Sequence, residues 1–151
     1  MSEIQLQTML ADYAQVAEGK LNVIGAGWSH CGPAPTPSAL AFIASVPWDL
    51  ANQRYALAAE LVDEDYVPFR PEDAPEDFKF RFEVPLEVGR PPGITAGSSL
   101  DWVQAVNIGP LPLEPGKRYV WVITLNGETK EGWSHPFNVR PADFGGIRLV
   151  G

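Results

Sequence analysis

The two histidines of the chain are the residues whose type and spacing most suggest chemistry. Each ends a copy of the tetrapeptide Gly-Trp-Ser-His, and the copies cover residues 27–30 and 132–135. Along a β-strand, residues two apart share a face, so the Trp and the His of each copy point the same way. If the two strands pair, His30 and His135 come together, yet a two-histidine metal site needs a third ligand that no spacing supplies. We therefore predict no metal site and treat His135 as a candidate for a binding surface.

Cys31 is the only cysteine and directly follows His30. Neighbouring residues of a strand point to opposite faces, and no third residue is marked to orient the imidazole, so we expect a small buried thiol rather than a nucleophile. The serines lack the Gly-x-Ser-x-Gly elbow, and the glycines form no phosphate-binding loop that opens a helix. The sequence predicts a protein that is not an enzyme and that has no cofactor.

Acidic residues cluster at 60–65 and at 72–77. Carboxylates at a loop end can bind calcium, but the calcium-loop spacing, with a glycine and a distal glutamate, is absent. Solvated loop charge is the commoner arrangement, so we predict no calcium site. Asp63 and Asp65 are kept as candidates for contact with a ligand or partner.

Five tryptophans are a high number for a chain of 151 residues. Burial in the core explains most of them, whereas an exposed Trp offers a stacking surface for a sugar or a protein contact. Trp48 follows a proline in a loop and Trp133 lies beside a suspected β-bulge, so we expect these two to be the most exposed. Together with His135, Asp63 and Asp65 they form the candidate binding surface.

The distribution of proline and glycine along the chain predicts the strands that position these residues. Fifteen prolines and fourteen glycines separate short apolar or alternating runs, a pattern typical of an antiparallel all-β domain. Residues 6–16 and 20–31 are predicted to form a first hairpin around Ala17-Glu18-Gly19. The segment 32–37, with a proline at every second position, is expected to cross between sheets. Further strands are predicted at 38–46, 55–62, 78–84, 100–108 and 119–125.

Both faces of the second run are moderately apolar. Leu21 and Val23 share one face, while Ile24 lies on the other. This pattern indicates a strand that is covered on both sides or that lies at a subunit contact.

Asn126-Gly127 is the strongest short-range hairpin signal in the chain. A two-residue turn there would place Trp121 opposite Gly132 and would pair an apolar face with a polar one. A bulge near Gly132, or a longer loop, would shift the pairing by an odd number of residues and so reverse which side chains face the core. We call this the parity shift. It would return three residues to the core side: Trp133, Phe137 and Val139.

Charge and hydropathy exclude two classes of partner. The net charge of -8 repels a phosphate backbone, so no nucleic acid is expected. The apolar runs are shorter than the ~20 residues needed to span a bilayer, so no membrane insertion is expected. The first residues carry no secretory signal and the single cysteine agrees with a reducing compartment, so the cytoplasm is the predicted location.

Several stretches resemble a family of short, uncharacterised bacterial proteins. They are residues 9–28, Pro47-Trp48-Asp49, residues 60–65, and the region from Leu111-Pro112-Leu113 to Gly127-Glu128. The resemblance implies an immunoglobulin-like antiparallel β-sandwich of about 7–9 strands. The family has no assigned activity, so the resemblance implies no catalytic residue.

We interpret residues 1–141 as a single β-sandwich domain and residues 142–151 as a C-terminal tail that docks on a neighbour. The predicted function is a non-catalytic binding or scaffolding module whose partner is a protein, either a second copy in a homo-oligomer or a larger assembly. The alternative is a small-ligand or carbohydrate-binding module that uses exposed Trp and loop carboxylates.

Overall fold

The computed structural model describes residues 3–142, which form ten strands and a 3-10 turn at Trp48–Leu50. The strands are β1 Gln5–Ala11, β2 Tyr13–Ala17, β3 Lys20–Ile24, β4 His30–Cys31, β5 Ser38–Val46, β6 Tyr55–Asp63, β7 Arg81–Leu86, β8 Leu100–Ile108, β9 Arg118–Leu125 and β10 His135–Val139.

A three-stranded sheet, β1-β5-β8, packs against a five-stranded sheet, β4-β10-β9-β6-β7, and β2 and β3 form a separate two-stranded ribbon. All strand pairs are antiparallel except the short parallel pair of β10 and β4. The prediction of an antiparallel all-β sandwich is therefore confirmed. The strand number exceeds the predicted 7–9 because each of the first two predicted strands divides, the first at Asp12 and the second between Ile24 and His30.

The main core lies between the two large sheets. Alternate residues of β5 face it, including Leu40 and Phe42, and those of β6 meet them with Leu57 and Leu61, all four fully buried. Burying a side chain of this size stabilises the fold by about 1.5–3 kcal/mol. The other face of β5 is covered by the ribbon, which explains why its sequence is almost wholly apolar.

The chain bends at Asp12, where the first predicted strand divides. The Asp12 N–H donates to the carbonyls of Ile24 and Gly25, at 3.0 and 3.2 Å. Gly25 has a positive φ of 64°, and the Asp12 carboxyl group lies where a side chain at Gly25 would stand. β2 consequently does not continue the three-stranded sheet, and the ribbon lies over the outer face of that sheet.

Small residues allow the ribbon to approach this closely. Ala11 and Ala14 pack against Ala39 and Ala41 of β5 in a second buried cluster. The Asn107 side chain of β8 accepts from the Ala14 N–H at 3.2 Å and donates to the Ala14 carbonyl at 2.8 Å. The ribbon is thus a third layer of the molecule, bonded to the sheet through a side-chain amide.

The two-residue turns at Glu18-Gly19 and Asn126-Gly127 have the backbone that the sequence predicts. Glu18 and Gly19 have φ of 53° and 72°, and Asn126 and Gly127 have φ of 50° and 82°. Two consecutive positive φ values are typical of the type I′ turn that joins paired antiparallel strands. The first hairpin is confirmed for Tyr13–Ala17 and Lys20–Ile24, whereas the prediction that it extends back to Leu6 is wrong.

The parity shift predicted near Gly132 is confirmed. The isolated bridge between Leu125 and Glu128 continues the turn, but Trp121 then pairs with His135 instead of Gly132. An odd shift reverses which side chains face the core. Trp133, Phe137 and Val139 are buried as a result, with 7%, 3% and 3% exposed.

Two further predicted elements differ in outcome. The segment 32–37 crosses from β4 in the five-stranded sheet to β5 in the three-stranded sheet, as predicted. The strand predicted at 78–84 begins only at Arg81, although Phe80, Phe82 and Val84 do pack against the core.

The predicted C-terminal tail lies outside the described residues except for Ala142. Its docking on a neighbour therefore stays a prediction. Within residues 3–142, no helix has the length and apolar character needed to cross a membrane.

Candidate functional site

Trp133 does not lie on the surface, so its predicted exposure is wrong. Its side chain is buried beside the first residues of β1, and its carbonyl accepts from the Thr8 hydroxyl at 2.7 Å. Lys130 lies over the ring at 5.7 Å and pairs with Glu3 at 2.6 Å. The odd shift in pairing after the Asn126-Gly127 turn directs the Trp133 side chain into the sandwich.

His135 is partly buried and holds the two large sheets together. Its Nε2 lies 2.8 Å from the Thr8 carbonyl of β1, and since a carbonyl only accepts, the ring donates. This contact gives His135 a structural partner in β1.

His30 and His135 lie in neighbouring strands, but not side by side. The parallel pairing of β4 and β10 places His30 opposite Asn138, three residues beyond His135. At about 3.3 Å per residue, this offset separates the two positions by about 10 Å along the strands. No three His, Cys, Asp or Glu side chains converge as a metal site within residues 3–142.

Cys31 is half-buried against the core. Burial raises the pKa of its thiol, although the Arg140 guanidinium opposes that shift. The thiol is therefore protonated at neutral pH, which is unsuited to nucleophilic attack. Beside it, Trp28 and Phe137 line a cavity of about 30 Å³, a volume that suits about one water molecule.

Trp48 is half-buried, and its ring is already covered. The Arg90 guanidinium lies 5.0 Å from the ring centroid, and Arg90 Nη2 donates to the Trp48 carbonyl at 2.6 Å. A sugar would have to displace this cation to stack on that face.

Asp63 lies at the end of β6 in a cleft of about 310 Å³. Its Oδ1 accepts from the N–H groups of Asp65 and Val67 at 2.8 and 3.0 Å, and its Oδ2 lies 3.5 Å from Lys117 Nζ. Burial raises the pKa of Asp63, but these two N–H donors and the Lys117 ammonium outweigh burial and hold the pKa below its usual range. Asp63 is thus committed to a turn and an ion pair.

The predicted binding-surface residues fall at two ends of the sandwich. Trp133 borders a cleft with Tyr55, the first residue of β6, while Asp63 is the last residue of that nine-residue strand. The structure therefore does not bring the tryptophans and the loop carboxylates into one site.

The surface that sequence reasoning only touched on is the outer edge of β3, which we call the β3 edge. Ala17 and Lys20 flank the two-residue turn and form a hydrogen-bonded pair, and pairs alternate along an antiparallel ribbon. Leu21 and Val23 therefore direct their N–H and C=O groups away from β2. Within residues 3–142, β3 pairs only with β2, so these groups have no strand partner.

Exposed apolar side chains accompany this edge. Ile24 is 64% exposed and Tyr13, its cross-strand neighbour, is 47% exposed. Leu21 and Val23 pack over the alanine cluster on the opposite face of the ribbon. The β3 edge thus combines open backbone groups with apolar contact area.

The other edge strands within residues 3–142 each carry at least one feature that hinders addition of a strand. On β2, the Asn107 side chain occupies both backbone groups of Ala14. On β7, Arg81 and Glu83 form an exposed ion pair at 3.1 Å, and Pro85 has no N–H. The Ala105 N–H of β8 donates to the Gln104 side chain at 3.0 Å. The edge of β1 is occupied at Thr8 by His135, and β4 has two residues.

A family model described as a family of unknown function, DUF6941, matches residues 6–140. The chain belongs to the DUF6941 family. The match extends from the second residue of β1 to just beyond β10, and it includes the ribbon and the β3 edge. No curated protein and no solved structure matches the chain.

Proposed function

We propose that the chain is a non-catalytic interaction module that binds another protein through the β3 edge, in a homo-oligomer or a larger assembly. The observation that carries the proposal is the combination of unpaired backbone groups at Leu21 and Val23 with the exposed Ile24. An open strand edge is a template for an added strand, and such additions obtain affinity from main-chain hydrogen bonds.

Protection of the other edges supports this choice. A charged pair, a proline, a side-chain amide or a crossing contact occupies at least one position of each of them. The β3 edge carries a single charged side chain, Lys20. It is therefore the edge at which another strand is added with the least rearrangement.

The tryptophans do not favour the carbohydrate-binding alternative. Arg90 covers the ring of Trp48, and Trp133 is 7% exposed. The Asp63 carboxyl group, which that alternative would also use, is occupied by two N–H groups and Lys117.

The setting of the protein is part of the proposal. We place it in the cytoplasm of a bacterium, supported by a single half-buried cysteine and by the resemblance given above. The packing of two large antiparallel sheets supports an immunoglobulin-like sandwich.

Substitution Ile24→Lys tests the proposal. Ile24 is 64% exposed, so the folded chain tolerates a charge there, whereas a charge placed in a contact is desolvated. Light scattering on the untagged protein measures the association, and mass spectrometry identifies any protein that co-purifies. We expect Ile24→Lys to weaken the association at least about tenfold.

Ile94→Lys is the matched control, because Ile94 is also exposed, at 44%, but belongs to the loop between β7 and β8 and not to the ribbon. It should leave association unchanged. Equal association of the two variants and the wild-type chain would show that the β3 edge is not the contact.

A further inference from the structure

We infer that the partner at the β3 edge is a second copy of this chain, joined by antiparallel pairing of the two β3 strands about a two-fold axis at Asn22. This inference rests on the proposed function. It adds the identity of the partner and the register of the contact.

The register follows from which backbone groups are open. An antiparallel pair centred on Asn22 places Leu21 opposite the partner's Val23, and Val23 opposite the partner's Leu21. These are the residues whose N–H and C=O groups point away from β2. Both pairs then exchange two hydrogen bonds, so the contact is closed and symmetric, with four in all.

The side chains agree with the same register. Leu21 and Val23 lie over the alanine cluster, so pairing extends that apolar layer from one copy into the next. On the exposed face, Ile24 lies opposite the partner's Lys20, whose aliphatic stem can cover it. The exposed Ile24 would thereby lose much of its contact with water.

Charge complementarity favours a second copy despite the net charge of -8. The Asp12 carboxyl group covers Gly25, the residue directly after Ile24. The register places the partner's Lys20 opposite Ile24, one residue before Gly25, and the two-fold axis repeats this arrangement. Each copy therefore directs its own lysine towards the Asp12 carboxyl group of its partner. Salt screens the attraction between such exposed charges beyond about one Debye length.

Cross-linking through cysteine tests the register. In the proposed dimer, Asn22 lies opposite the partner's Asn22 in a non-hydrogen-bonded pair, with Cα atoms about 4.5 Å apart. This distance lies within the range that a disulfide bridges. In a Cys31→Ala background, we expect Asn22→Cys to form a disulfide-linked dimer in most of the protein under mild oxidation.

Gln15→Cys in the same background is the control. Gln15 is exposed and pairs with Asn22 within the ribbon, so it shares the same face. Its partner copy would lie three strand spacings away, at about 14 Å, beyond the reach of a disulfide. It should cross-link only at the background rate.

The outcomes separate the inference from the proposed function. A dimer in solution, with cross-linking at Asn22→Cys and not at Gln15→Cys, supports the inference. A monomer at about 1 mM, or a dimer in which both variants cross-link equally, overturns it. If the chain does not dimerise but Ile24→Lys abolishes binding of a different, identified protein, the proposed function stands and the inference of a second copy fails. If Ile24→Lys changes no association, the proposed function and the inference both fail.

Discussion

Asp63 shows how a single carboxyl group can be fully occupied by the fold. One oxygen accepts two backbone N–H groups from the turn that follows β6, and the other pairs with Lys117 across the cleft. Tyr119 lies beneath the same lysine, with its ring centroid 5.8 Å from Nζ. The carboxylate thus joins the turn after β6 to the start of β9.

The lowered pKa of Asp63 gives a pH dependence with a definite sign. The folded-state pKa lies below the unfolded value of about 3.9. Asp63 therefore adds stability above the unfolded pKa, and that stability is lost as the pH falls through the folded pKa. We expect Asp63→Asn to lower the free energy of unfolding by about 1 kcal/mol at pH 7, with the difference shrinking as the pH falls from the unfolded pKa through the folded pKa.

Urea denaturation between pH 7 and pH 2.5 measures this dependence. Asp65→Asn is the control, because the exposed Asp65 contributes its backbone N–H to the turn and its side chain makes no described contact in residues 3–142. A difference between Asp63→Asn and the wild-type chain that stays constant with pH would contradict the account.

At the scale of elements, the ribbon is held by one amide and a layer of alanines. Asn107 satisfies both backbone groups of Ala14, and the alanines below it fix how closely β2 can approach. This docking sets the position of β3, since the two strands are joined by a two-residue turn.

Substitution Asn107→Ala tests the docking. It removes two hydrogen bonds to Ala14, which together contribute about 1–3 kcal/mol. We expect the free energy of unfolding to fall by that amount and proteolytic cleavage at the Glu18-Gly19 turn to become faster. Gln15→Ala, which removes an exposed side chain from the same strand, should do neither; equal behaviour of the two variants would show that the amide does not hold the ribbon.

The sequence predicted the elements that depend on residues close together in the chain. The central strand ending at Pro47, the turn at Asn126-Gly127 and the odd shift near Gly132 all follow from periodicity and turn preference. The break at Asp12 was not predicted, because an apolar run continues across it and the bend depends on Gly25, thirteen residues later.

The candidate site depends on contacts that a single sequence does not contain. The exposure predicted for Trp133 is wrong because the parity shift and the β1 contact bury it together. The cation over Trp48 comes from Arg90, forty-two positions away. The apolar pattern of β3 indicated a strand that is covered on both sides or that lies at a subunit contact. Only the fold shows that its outer backbone groups lack a strand partner among residues 3–142.

At the scale of the whole molecule, the described chain is three layers with unequal edges. The five-stranded sheet and the three-stranded sheet enclose the core, and the ribbon covers the outer face of the smaller sheet. An acidic chain with a net charge of -8 resists non-specific association. We propose that specific association depends on the β3 edge, where the outer backbone groups of Leu21 and Val23 have no strand partner within residues 3–142.

Amide hydrogen exchange at Leu21 and Val23 tests the central claim most directly. Their N–H groups point away from β2, so they should exchange rapidly in dilute protein and become protected when the protein associates. The Asn22 N–H, which bonds within the ribbon, reports on the ribbon itself and should be protected in both states. Protection of Leu21 and Val23 that rises with association and is lost in Ile24→Lys is the expected result; association that leaves both amides exchanging rapidly would contradict the account.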